Sequence, residues 1–187
     1  DGDVRITQSR VDAMEIAFAP ASPWKLSLFL PRDQSVSGPP AIACDAEGQV
    51  YALWSEAASA DEPGTMLYYA SWSGVIPSSD SSRIRAVQVL RASEGIAVEP
   101  SLVVVGNQLY AVWSGGRDGE ILYSYANVRE AYGARGWSEP QPLPAPRAVG
   151  SCPDLLADPY GILHVVYAVP LNEKSCLLYT SDAADEL

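Results

Sequence analysis

Pro40–Glu56 reads PAIACDAEGQVYALWSE, and two further stretches superpose on it: Pro100–Gly116 (PSLVVVGNQLYAVWSGG) and Pro153–Val169 (PDLLADPYGILHVVYAV). The leading prolines are 60 and 53 residues apart. Each copy opens with Pro and a short apolar run, then turns at a glycine-containing segment (Asp45–Gly48, Gly106–Asn107, Asp158–Gly161). It closes with a second apolar run ending in Trp54, Trp113 or Tyr167. Two such runs around a tight turn are a hairpin signature. The second runs are apolar at nearly consecutive positions rather than alternating, the pattern of a strand covered on both faces. Such strands sit in the middle of stacked sheets.

A third strand follows each of the first two hairpins, TMLYYAS from Thr65 and EILYSYA from Glu120. A fourth follows in turn, IRAVQVL from Ile84 and, after NVREAYGAR, GWSEPQPLP from Gly136. Four antiparallel strands repeated along the chain predict propeller blades, whereas a β-sandwich carries no such internal period. The expectation is therefore an all-β fold, a β-propeller fragment of four-stranded antiparallel blades. Residues 37–95 and 96–147 form two full blades, and 148–175 begin another. Residues 1–36 form the tail of a preceding blade, with EIAFAP (15–20) and SPWKLSLFLP (22–31) echoing third and fourth strands. RVDAMEIAFA (10–19) also reads as one short helix.

Composition narrows the function classes. With 187 residues and 48% hydrophobic content the chain can bury a core, and no apolar run approaches the roughly 20 residues that span a bilayer. It starts at Asp1, without a basic and apolar leader pattern, and this start is not expected to be the natural one. Twelve basic residues against 23 acidic give a net charge of −11, which argues against nucleic acid as a partner. Cys44, Cys152 and Cys176 lack metal-ligand spacing, and the first two are expected to be small buried hydrophobes. The acidic turns DAEG and ADPYG have too few carboxylates to specify calcium, so no metal or cofactor is expected.

The last residues need separate treatment. CLLYTSDAADE, from Cys176 to Glu186, resembles the translation of a transposase sequencing adapter. Residues 176–187 are accordingly expected to lie outside the natural sequence, which stops near Ser175, with further blades belonging to a longer chain.

At DAEGQVYALWSE (45–56), VEPSLVVVGNQLYAVWSGG (98–116) and GWSEPQPLP (136–144) the chain resembles the sialidase superfamily of β-propellers with BNR or Asp-box repeats. The Asp box of that superfamily resembles Ser-x-Asp-x-Gly-x-x-Trp. Only remnants stand here, Ser124 and, across an insertion, Gly136 and Trp137. The resemblance implies a propeller in a secreted or surface bacterial protein that binds a glycan or protein on its axial face. Its alternative is an exo-sialidase whose remaining catalytic residues lie beyond this chain. Sialidases of that kind grip the sugar carboxylate with arginines and use a Tyr nucleophile assisted by Glu.

Glu99, before Pro100 and Ser101, resembles the superfamily's Glu element and is the candidate catalytic residue. Trp113 and Ser114 stand where that blade's Arg would fall, and Arg117 is the candidate substrate-binding residue that reaches the same space. The bland readings are a strand-entry Glu99 and a solvated turn Arg117 beside an Asp118–Gly119 hairpin turn. His164 is the only histidine, and its repeat equivalents are Tyr51 and Tyr110. A packed, hydrogen-bonded role fits it better than general-base chemistry. Trp54, Trp113 and Tyr167 recur at one repeat position, which favours blade core over a sugar-stacking platform.

Overall fold

The computed structural model describes residues 5–6, 28–29, 36–57, 66–73, 87–91, 96–116, 119–144, 150–171 and 174–183. Apart from one short 3-10 turn, Ala134–Gly136, these residues form strands and their connections. In blade I, β3 (Val36–Ser37) and β4 (Ala41–Cys44) both lie along β5 (Gln49–Ala57). The sheet continues through β6 (Met66–Ser73) to β7 (Val87–Arg91). Blade II runs β8 (Ile96–Val105), β9 (Gln108–Gly116), β10 (Glu120–Asn127) and β11 (Gln141–Pro142). Blade III runs β12 (Ser151–Ala157), β13 (Ile162–Leu171) and β14 (Lys174–Ala183). All pairings are antiparallel and, apart from that of β3 with β5, join chain neighbours, the meander that the repeat implies. The fold is a β-propeller fragment.

The expected preceding blade falls largely outside the described residues. Within 1–36, β1 (Arg5–Ile6) pairs with β2 (Leu28–Phe29), and Val36 already pairs with Ala57 of blade I. Residues 15–20 lie outside the described set. At the other end, β14 pairs with β13 from Leu171↔Lys174 to Ile162↔Ala183. It thereby fills the third-strand place of blade III with a segment that, from Cys176 onward, is the one expected to be foreign. A β-prone run beside an open strand edge adds to it whatever its origin.

The blades stack through two cores, and the apolar run of β9 contributes to both. Tyr51, Leu53, Leu67 and Tyr69 of blade I meet Leu102, Leu109, Ala111 and Trp113 of blade II. On the opposite face of blade II, Tyr110, Val112 and Ile121 meet Leu155, Leu163, Val165 and Tyr167 of blade III. Consecutive residues of β9 thus alternate between two interblade cores, which is why the sequence run shows no polar face. Truncating a fully buried member such as Leu109 to Ala costs about 2–5 kcal/mol. Trp54, Trp113 and Tyr167 are all buried, as core residues should be.

Short devices fix the turns. Gly48 and Gly161 take positive φ (79° and 82°), a conformation glycine adopts without strain. In both turns an Asp organises the hairpin. Asp45 accepts the Gln49 amide at 2.8 Å and the Tyr51 hydroxyl at 2.6 Å. Asp158 accepts the Ile162 amide at 2.9 Å and the Tyr160 amide at 2.8 Å, with His164 Nε2 at 3.2 Å. His164 therefore does for Asp158 what Tyr51 does for Asp45, and its packed, hydrogen-bonded role is structural. The Ile162 amide, aided by His164, holds Asp158 below the usual carboxylate range. The Tyr51 hydroxyl does the same for Asp45.

The connection from β10 to β11 is tied at both ends. Trp137 is buried between blades I and II and donates its indole N–H to the Ala131 carbonyl at 3.0 Å, while Ser124 Oγ donates to the Ser138 carbonyl at 2.8 Å. From the same connection Tyr132 reaches back to blade I and donates to the Ser71 carbonyl at 2.8 Å. Outside it, β11 is two residues long and flanked by Pro140 and Pro144, with Pro142 in the strand itself. Proline confines such a strand to a sheet edge.

Candidate functional site

The inner strands β4, β8 and β12 stand side by side, because each begins its blade and β8 packs against both neighbours. Their prolines, Pro40, Pro100 and Pro153, line an axial cleft of about 520 Å³ with the residues that follow them. At the rung after each proline the repeat places Ala41, Ser101 and Asp154. A small residue serves the repeat in blades I and II, and a carboxylate replaces it in blade III.

The mouth of the cleft is shaped by two matched irregularities. The register of β8 on β9 shifts between Val98 and Ser101, and that of β12 on β13 shifts between Ser151 and Asp154. Inside these shifts Glu99 and Cys152 hold left-handed backbones, φ 54° and 51°. For a residue with a Cβ this costs on the order of 1–2 kcal/mol. Both precede the repeat proline, so the conformation is shared by blades II and III and is not peculiar to Glu99; in blade I the place is taken by Pro39.

This geometry sends the Glu99 side chain across to blade III. Its Oε2 accepts the Cys152 amide at 2.7 Å and lies 3.5 Å from the donating Ser114 hydroxyl, and its Oε1 lies 3.5 Å from the Cys152 thiol. Glu99 is thus half-buried at the rim and tied to the adjacent blade; the cleft wall begins one residue later, at Pro100. Arg117 and Asp118 lie outside the described residues, so the candidate Glu99–Arg117 pairing has only its first member in place.

Deeper in, Ser101 Oγ donates to Asp154 Oδ1 at 3.1 Å and accepts the Leu155 amide at 3.0 Å, which Asp154 Oδ1 also accepts at 3.0 Å. Asp154 is exposed on the cleft wall. Sequence reading passed over it because the PDLL segment matched the repeat, although the departure from Ala41 and Ser101 at that rung was a legible signal.

The cysteines correct another expectation. Cys44 and Cys152 are free and exposed rather than buried. Cys44 shares the face of β4 that Ile42 leaves open, and the left-handed backbone at Cys152 turns it out to the rim beside Glu99. Among the described residues no group of His, Cys, Asp and Glu is arranged to hold a metal ion, and no helix is long and apolar enough to cross a membrane.

No family model and no curated protein sequence matches the chain. Among solved structures it is similar to the GH93 α-L-arabinofuranosidase of Fusarium graminearum in complex with arabinobiose, with TM-score 0.58 and 16% identity over 88% of this chain and 48% of that one. It is also similar to an endo-arabinase from Bacteroides thetaiotaomicron, with TM-score 0.58 and 16% identity over 87% of this chain and 62% of that one. The chain therefore spans less than two thirds of either protein. At this identity the likeness establishes a shared propeller architecture, carried by enzymes other than sialidases.

Proposed function

We propose that the chain supplies three blades and an axial glycan-binding surface to a carbohydrate-active propeller. The observation that carries this reading is the cleft where three inner strands converge, walled by Ser101 and Asp154 and rimmed by Glu99. Sugar hydroxyls are donors, and carboxylates and serine hydroxyls are the acceptors that meet them. Both structural neighbours act on arabinose-containing glycans by their names, which supports the substrate class without specifying it. An extracellular or surface location goes with this reading, since polymeric glycans are met there.

The hydrolase form of the reading rests on Asp154, the one carboxylate that lines the cleft among the described residues. Glycoside cleavage uses a carboxylate pair, and in this form the second carboxyl group comes from beyond the described residues. The sialidase form needs guanidinium groups to grip an anionic sugar, and none lines the cleft among the described residues. A carboxylate wall repels a sialic acid, so a neutral glycan fits better.

The test is to titrate arabinotriose and 3′-sialyllactose into the isotope-labelled chain and follow amide resonances of 101–104 and 154–157. Shifts confined to those strands with arabinotriose support the reading. Saturation with neither sugar would sink it, and selective binding of sialyllactose restores the sialidase form.

A further inference from the structure

Two carboxylates stand near the cleft, and the geometry divides their work. We infer that Asp154 is the carboxylate that contacts the sugar, whereas Glu99 is a tie between blades II and III. The inference rests on the glycan-binding reading and assigns its central polar contact to a residue that the sequence resemblance does not mark.

The argument begins with the repeat. At the rung occupied by Ala41 and Ser101, blade construction needs only a small side chain, so the carboxylate of Asp154 is not required by the fold. It is nonetheless held in one orientation. Oδ1 takes the Ser101 hydroxyl at 3.1 Å and the Leu155 amide at 3.0 Å, from a neighbouring blade and from its own strand. That leaves Oδ2 without a protein partner among the described residues, on the wall of an open cleft. An oriented, charged acceptor with one oxygen free is the arrangement that binds a hydroxyl strongly, since the ordering cost is already met by the protein.

Glu99 presents the opposite case. Its Oε2 is committed to the Cys152 amide at 2.7 Å and approached by Ser114, and its Oε1 faces the Cys152 thiol. Its oxygens point along the rim into blade III, and the residue is not on the cleft wall. A ligand would have to displace the hydrogen bond from the Cys152 amide to use Oε2. The same bond gives Glu99 a sufficient structural role in setting the spacing of β8 and β12.

The test compares Asp154→Ser, which installs the residue that blade II carries at this rung, with Glu99→Ala, each titrated with arabinotriose and each melted. Asp154→Ser should keep the wild-type melting temperature and weaken arabinotriose binding by about tenfold to a hundredfold, the loss expected for a charged acceptor. Glu99→Ala should lower the melting temperature and, while folded, bind within about threefold of wild type. Asp154→Asn serves as the conservative control, keeping the Oδ1 contacts and recovering part of the affinity. Wild-type affinity in Asp154→Ser together with lost binding in folded Glu99→Ala overturns the inference and leaves the glycan reading standing. Failure of the wild-type chain to bind arabinotriose removes both.

Discussion

The indole of Trp54 donates to Glu56 Oε1 at 2.8 Å inside blade I, with both residues buried, whereas the equivalent Trp113 of blade II has Gly115 where Glu56 would be. Among the described residues the Trp113 indole nitrogen has no hydrogen-bond partner. Trp54→Phe and Trp113→Phe remove similar apolar volume, but only the first also breaks a buried hydrogen bond. Trp54→Phe should cost about 1–2 kcal/mol more than Trp113→Phe in urea unfolding. Equal costs would show that the Trp54–Glu56 bond contributes nothing net.

Acid should unfasten the turns of the first and third hairpins. Asp45 and Asp158 both titrate below their ordinary value of 3.8 because donors favour their charged forms. A carboxylate with a depressed folded-state pKa adds stability that is fully present above the unfolded value and is lost as pH falls through the folded one. Melting temperature should therefore decline below about pH 4, and Asp158→Asn should flatten that decline while lowering stability at neutral pH. An unchanged acid profile in Asp158→Asn would refute the assignment.

Leu156 is 64% exposed, although Ala43 and Val103 at its repeat position pack against the following blade. Replacing it with Ser should leave stability within about 0.5 kcal/mol, the usual range for a surface change. It should also reduce concentration-dependent light scattering. Marked destabilisation would mean that the side chain is buried in solution.

Cys44 and Cys152 should both react with a thiol reagent in the native protein, as their exposure implies. Mass spectrometry of the labelled peptides distinguishes them. Adduct at Cys152 should destabilise the rim more than adduct at Cys44, because its amide and thiol both face Glu99. Protection of Cys152 until the chain unfolds would contradict the rim geometry.

Much of the fold was legible because the repeat is written in side chains that pack. Alternate residues of Leu109–Trp113 serve two cores, Tyr51 and Leu53 one of them and Leu163, Val165 and Tyr167 the other, so the unbroken apolar runs and the turn glycines announced stacked hairpins. The partnership of His164 with Asp158 was foreshadowed by Tyr51 at the same repeat place. The site was less legible. Glu99 drew attention through its Pro100–Ser101 context, yet its left-handed backbone and the reach to Cys152 depend on a register shift that composition does not encode. Asp154 was hidden by agreement of its neighbours with the repeat. The exposure of Cys44 depends on what lies beside blade I, a tertiary fact with no local signature.

The prolines around β11 have a consequence for how this molecule can meet others of its kind. A sheet border normally offers a ladder of free amides and carbonyls onto which another polypeptide can crystallise, the first step of fibril growth. Pro140, Pro142 and Pro144 delete the donors from every second place along that border of blade II. Growth by strand addition is thereby poisoned at the outer circumference of this blade.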